Sequence, residues 1–125
     1  MRLNHVNLPS ANIAADVAMF ERYFAVECIA RRGTALVALK DEADTVIVLN
    51  HLPKKAAEFA YPDDFHVMHI GFHQEQRETV DAVHGRLVAD GWDVQTPRDF
   101  HGAWTFYFKA PGGYFIEVYH QYRLG

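Results

Sequence analysis

Three residues of this chain combine the right types with matching places in its pattern to hold a divalent ion: His5, His69 and Glu117. Each imidazole offers a neutral nitrogen, and the carboxylate adds an anionic oxygen. A set of two imidazoles and one carboxylate binds a metal without saturating it, so positions stay open for a substrate. Glu117 stands in the run Trp104 to His120, WTFYFKAPGGYFIEVYH. Pro111, Gly112 and Gly113 divide that run into two apolar arms, the pattern of a β-hairpin. In the second arm Glu117 is the one carboxylate among Tyr114, Phe115, Ile116, Val118 and Tyr119. Desolvating it without a partner costs on the order of several kcal/mol. It therefore points to solvent, pairs with a base or binds a metal.

The elements that position these residues follow from hydrophobic periodicity. Leu3 to Leu8 alternates as a strand that Pro9 ends. Ser10 or Asn12 caps a helix to about Phe24, with Ile13, Val17, Phe20 and Phe24 on one stripe. Strands follow at about Val26 to Arg32, Ala35 to Lys40 and Thr45 to Asn50. A polar connector with two prolines spans His51 to Asp64. The pattern then restarts. Val67 to His73 reads as a strand, and Gln74 to Asp90 as a helix with Val80, Val83, Leu87 and Val88 inward. Gly91 closes that helix. Trp92 to Thr96, Ala103 to Ala110 and Gly113 to Tyr119 read as three more strands.

The order is thus βαβββ twice, a repeat of pattern rather than of residues. The expected fold is α+β: two βαβββ modules, 1–50 and 65–125, joined by the connector 51–64 within a single domain of residues 1–125. Their curled mixed sheets surround a cleft. His5 and His69 lie 64 residues apart and occupy the same place in their units. Alternation turns them to one side, with Val6, Leu8, Ile70 and Phe72 toward the helices. In the last two strands Phe115, Glu117 and Tyr119 share a face, as do Thr105, Tyr107 and Lys109. The bulky set Trp104, Phe106, Phe108, Ile116 and Val118 belongs to the helix side. His5, His69, Tyr107 and Glu117 are therefore the cleft candidates. His66, His73, His84 and His120 read as surface or helix-side residues, and Lys54–Lys55 as a solvated loop.

Composition narrows the classes. A chain of 125 residues, half of them hydrophobic and 14% aromatic, can bury one substantial core. The net charge is −4 with no basic cluster, which argues against nucleic acid. No apolar run approaches the ~20 residues of a membrane span, and the N-terminus lacks a signal-peptide block. One cysteine, Cys28, fits a reducing compartment. The expectation is a cytoplasmic protein with a small-molecule substrate.

The motifs NHV at 4–6, HIGF at 69–72 and FYFKAPGGYFIEV at 106–118 resemble the vicinal oxygen chelate superfamily, which includes glyoxalases, fosfomycin and bleomycin resistance proteins and extradiol dioxygenases. The resemblance covers the whole chain. It implies paired βαβββ modules around a divalent metal, and a homodimer that completes each site, commonly with exchanged modules. Glyoxalases have a fourth ligand in the last strand of the first module. Val48 falls there and cannot ligate, which disfavours the glyoxalase I reaction. The hairpin is similar to the extradiol signature, with His101, Phe106–Tyr107, Pro111–Gly113 and Glu117 in its places. The gap from His101 to Phe106 is one residue short of that pattern. Fosfomycin-type transferases share the spacing from Tyr107 to Glu117. They carry Thr where Asn7 stands and further basic residues late in the chain, where Arg123 is the only one here.

The extradiol resemblance implies ring cleavage of a small catechol-like substrate. It implies iron(II) as the metal, while manganese(II), zinc(II) and nickel(II) suit the same ligands. Tyr107 would hydrogen-bond a substrate oxygen, and His51, then His101, would move protons. Phe115, Tyr119 and Tyr61 would wall the ring pocket. Two alternatives stand beside it. One is a metal-dependent thiol or glutathione transferase or isomerase of the glyoxalase or fosfomycin-resistance type. The other is a non-catalytic drug-binding resistance protein, against which the intact triad counts.

Overall fold

The computed structural model describes residues 1–51 and 58–122; Lys54, Lys55 and Arg123 lie outside them. The chain divides into two compact units, Met1–Tyr61 with Pro111–Gly113, and Pro62–Ala110 with Tyr114 onward. The first holds β1 (His5–Pro9), α1 (Ile13–Tyr23), β2 (Glu27–Arg32), β3 (Leu36–Lys40) and β4 (Val46–Asn50). The second holds β5 (Ile70–His73), α2 (Arg77–Ala89), β6 (Arg98–Phe100), β7 (Ala103–Lys109) and β8 (Phe115–Gln121). The sheets run β1-β4-β3-β2 and β5-β8-β7-β6. In each, the first strand pairs parallel with the fourth and the other pairings are antiparallel. The fold is therefore α+β, with two βαβββ modules and mixed four-stranded sheets, as the periodicity predicts.

In the first unit, the Asn12 side chain caps α1 by accepting from Ala15 N at 3.1 Å, which satisfies a helix-end donor. Val17 and Phe20 are buried, as are Val37, Leu39, Ile47 and Leu49 of the sheet, and α1 packs on β2 and β3. Asp16, on the same helix, is also fully buried. Its carboxylate accepts from Ser10 Oγ at 2.6 Å and from Gly112 N at 2.8 Å. Gly112 belongs to the Pro-Gly-Gly turn, and its carbonyl accepts from Ala11 N at 3.1 Å.

In the second unit, Val80, Val83 and Leu87 of α2 bury against the helix-side residues Phe106, Phe108, Ile116 and Val118. The Arg77 guanidinium lies 3.6 Å from the Trp104 ring centroid, and Trp104 Nε1 donates to Asp81 at 2.8 Å. Val88, expected inward, is half exposed. Asp90 caps α2, and Gly91 follows with φ +87°. Gly91 N bonds Val88 O, and Trp92 N bonds Leu87 O at 3.0 Å, a Schellman pair.

That cap explains why no strand forms at Trp92 to Thr96. Trp92 N–H is spent on the helix, and Pro97 has none. Gln95 still bonds Tyr107 O through its N–H, but its side-chain Oε1, not its main-chain carbonyl, accepts from Tyr107 N at 3.3 Å. The regular ladder begins at Arg98. The strand expected from Val67 likewise starts later, at Ile70. Asp64 turns the chain first: its carboxylate accepts from His66 N at 2.8 Å and its carbonyl from Val67 N at 3.1 Å. This local side-chain bonding overrides the strand preference of the apolar residues.

Candidate metal site

Strand register places the key carboxylate. Glu117 pairs with Tyr107 on β7 and with Gly71 on β5. His69 lies two residues before Gly71, just ahead of β5, and its Nε2 is 3.4 Å from Glu117 Oε1. Its Nδ1 is 2.7 Å from Phe65 O. A carbonyl only accepts, so Nδ1 carries a proton, and Nε2 is the lone-pair nitrogen of the neutral ring. This lone pair faces a carboxylate oxygen. Two acceptors at that distance repel unless a cation lies between them, either a second proton or a metal ion. Pinning Nδ1 to a carbonyl is also how metal-binding imidazoles are oriented. The donors therefore fit a divalent ion, with His69 and Glu117 able to hold it from the second unit.

The surroundings of Glu117 are ordered. Thr105 Oγ1 lies 2.7 Å from Glu117 Oε2. Tyr107 is buried, and its ring meets His69 edge-on at 5.1 Å. Burial first, then the Glu117 charge and a hydrogen bond to it, push the Tyr107 phenol well above its usual range; Arg98 pulls weakly the other way. Tyr107 thus stays a neutral donor. Phe65 stacks on its ring at 4.2 Å and meets Phe115 at 6.0 Å. Beside Tyr107 opens a cleft of about 430 Å³ lined by Asp63, Asp93, Gln95, Lys109 and Phe115 among others. Lys109 Nζ bonds Asp63 Oδ1 there at 2.6 Å.

The other candidates lie elsewhere. His5 opens β1 in the first unit, exposed, with Nδ1 3.0 Å from Asn4 Oδ1. That contact too leaves Nε2 free to ligate. His5 pairs with Val46, and Asn7 with Val48. Asn50 Nδ2 donates to Asn7 Oδ1 at 2.8 Å. His51, half-buried in the first unit, has Nδ1 3.3 Å from Ser10 O. His101 sits in the turn between β6 and β7 with φ +54°, followed by Gly102 at +74°. It is about 13 Å along β7 from Tyr107, counting four residues of strand from Ala103. His73 is exposed, with its ring 5.2 Å from that of Tyr119. Among the described residues of either unit, no three His, Cys, Asp or Glu side chains are gathered as an ion requires.

Four residues around Glu117 carry no ligand signal in the motifs. Thr105 shares the right face by alternation, but a hydroxyl is not a ligand type that singles it out. Arg98 pairs with Thr105 across β6–β7 and so shares its face, but the misplaced strand hid it. Phe65 acts through its carbonyl, which no side-chain pattern reveals. A Cβ on Gly71 would lie 3.1 Å from Tyr119 Cε1 and 3.5 Å from Glu117 Oε1, so a glycine there leaves room for both.

The glyoxalase/bleomycin resistance protein/dioxygenase superfamily model matches residues 2–118. A possible glyoxalase from Bacillus cereus is 37% identical with a TM-score of 0.82, over 94% of this chain and 97% of that one. A lactoylglutathione lyase from Agrobacterium tumefaciens shares the fold at 17% identity and TM-score 0.74, over 95% and 92%. So does a glutamate-to-glutamine mutant of the fosfomycin resistance protein FosX from Listeria monocytogenes, at 18% identity and TM-score 0.72, over 94% and 87%, in a complex with Mn(II) and 1S,2S-dihydroxypropylphosphonic acid. No curated protein matches. The chain belongs to the glyoxalase/bleomycin resistance protein/dioxygenase superfamily.

Proposed function

We propose that this protein is a divalent-metal-dependent enzyme, with His5, His69 and Glu117 as the metal ligands. Its substrate is a small molecule that chelates through two neighbouring oxygens, and its reaction is ring cleavage of a catechol-like compound. The observation that carries this reading is the His69–Glu117 pair, with Nδ1 held by Phe65 O and Nε2 turned to the carboxylate. Iron(II) is the proposed metal. When bound, it supplies Lewis acidity that lowers the pKa of a chelated phenol.

The protein residues have separate tasks. Tyr107, kept neutral by burial and by Glu117, donates a hydrogen bond to a substrate oxygen. Phe65 and Phe115 give an aromatic wall for a planar ring. His51 takes and returns the phenolic proton, and His101 is second choice because its turn is remote from Tyr107 along β7. Val48, apolar at the equivalent of Glu117, leaves the ion three protein ligands. His5 reaches the ion from its own chain or from a second copy, in a homodimer whose modules, 1–50 and 65–125, are exchanged across the connector.

A second reading is isomerisation or group transfer on an anionic substrate, of the glyoxalase or fosfomycin-resistance type. Arg98 favours it, being a cation beside Thr105 and Tyr107 that would meet a carboxylate or phosphonate. The FosX complex combines Mn(II) with such a phosphonate.

Anaerobic reconstitution with Fe(II), followed by a catechol panel and oxygen-electrode traces, tests the first reading. Oxygen uptake stoichiometric with ring cleavage is expected. Turnover of an anionic substrate without oxygen would move the assignment to the second reading. Protein that binds no divalent metal would end both.

A further inference from the structure

Thr105 has no role in the motifs, yet it is fully buried beside the carboxylate. Its Oγ1 lies 2.7 Å from Glu117 Oε2 and 3.3 Å from Val118 O. A hydroxyl carries one proton, and the shorter contact, to the anionic oxygen, takes it. Glu117 Oε1 instead faces His69 Nε2 at 3.4 Å. The two oxygens of one carboxylate are thus given different work.

We propose that Thr105 is a positioning residue that confines Glu117 to single-oxygen coordination. Oε2 is held by the Thr105 hydroxyl, and Oε1 is turned toward the ion with His69. The inference rests on the metal-site reading above and deepens it. A carboxylate free to rotate can present both oxygens and occupy two coordination positions. An octahedral ion has about six positions, and three single-atom protein ligands leave about three of them open. A substrate that chelates through two oxygens needs two of those. Thr105 therefore protects the substrate's place on the metal. A β-branched side chain is stiff at χ1, and here it has no exposed surface into which to turn, so the hydroxyl stays aimed at Oε2.

The test uses the full chain loaded with Mn(II), in wild-type, Thr105→Val, Thr105→Ser and Glu117→Gln forms. Binding is titrated, and metal-bound water is counted by pulsed EPR in isotopically labelled water. Wild type is expected to hold about three waters. Thr105→Val, which keeps the shape and removes the donor, should lose about one water as Oε2 swings in. Its affinity should change in the 10- to 100-fold range typical of residues that support a ligand. Thr105→Ser should restore both. Wild-type water count and affinity in Thr105→Val would overturn the proposal. So would about two waters in wild type itself, a reading that does not depend on Thr105→Val folding. Loss of Mn(II) binding in Glu117→Gln keeps the metal reading standing whichever way Thr105→Val falls. Wild type that binds no Mn(II) removes both.

Discussion

Val48 occupies in β4 the place that Glu117 occupies in β8. Val48 pairs with Asn7 on one side and Ala38 on the other; Glu117 pairs with Gly71 and Tyr107. His5 precedes Asn7 by two residues, as His69 precedes Gly71. The equivalence read from sequence thus holds in backbone register. It predicts that Val48→Glu supplies a fourth metal ligand. We expect metal binding to tighten by about 10-fold, roughly 1.4 kcal/mol, while turnover falls because an open position is filled. Calorimetric titration with Mn(II), alongside steady-state rates, would show this. Unchanged affinity would mean that Val48 does not face the ion.

His69 and Glu117 give the sharpest loss. Glu117→Gln removes the anionic oxygen and should abolish Mn(II) binding at micromolar metal. His69→Ala should weaken it by at least about 100-fold, the upper end of what even supporting residues cost. Circular dichroism would confirm that both variants fold. Retention of full binding by either would exclude that residue as a ligand.

Tyr107→Phe deletes one hydroxyl while keeping the ring that stacks on Phe65. If the phenol donates to substrate in the transition state, kcat should fall about 10²-fold, a typical loss for one well-placed donor. The same hydroxyl also bonds Glu117, so metal affinity should fall as well, and kcat is read at saturating metal. A fall in affinity with kcat preserved would show that the hydroxyl serves Glu117 and not the substrate.

Much of this was legible in the chain because period-2 and period-3.6 patterns report which side of an element is buried. The repeat, the helix stripe Val80/Val83/Leu87, and the shared face of Tyr107 and Glu117 follow from that. The failures share a different cause. Val67 looks like a strand residue, but the Asp64 side chain captures the His66 N–H and its carbonyl the N–H of Val67 itself. Trp92 looks like one too, but its N–H caps α2. In both places a local polar bond outcompetes apolar patterning, and its geometry cannot be read from residue types. The support given by Phe65 O is invisible for the same reason, since every residue has a carbonyl. Thr105 was within reach. A buried hydroxyl on the face of a carboxylate needs a partner, and alternation alone supplies one.

Asp16 should matter to stability more than to chemistry. It is 0% exposed and holds Ser10 Oγ and Gly112 N at 2.6 and 2.8 Å. Asp16→Ala leaves both donors buried without it. Removing one side of such a bond strands the other, at about 1–3 kcal/mol per group. We expect a loss of about 2–4 kcal/mol in urea unfolding with an unchanged slope. Asp16→Asn, which keeps one acceptor, should lose less. A loss below about 1 kcal/mol for Asp16→Ala would mean that water replaces the carboxylate.

Two tyrosines make the fold sensitive to alkali. Tyr61 is pushed up to about 12, by burial first and then by the Asp16 charge, and Tyr107 is raised as well. A free phenol titrates near 10. The folded state therefore holds these protons more tightly than the unfolded chain. The resulting stability is fully present below pH 10 and is lost as pH rises through the folded-state values. For Tyr61 the window runs from about 10 to about 12. Urea midpoints of wild type should accordingly fall from pH 10 upward. Tyr61→Phe loses the hydroxyl that donates to Pro9 O at 2.6 Å, so it should start about 1 kcal/mol less stable at pH 8. Above pH 10 it should then decline less steeply, because one of the two protons no longer has to leave. The gap between the two proteins should narrow between pH 10 and 12, and parallel curves would show that the Tyr61 phenol carries none of this pH dependence.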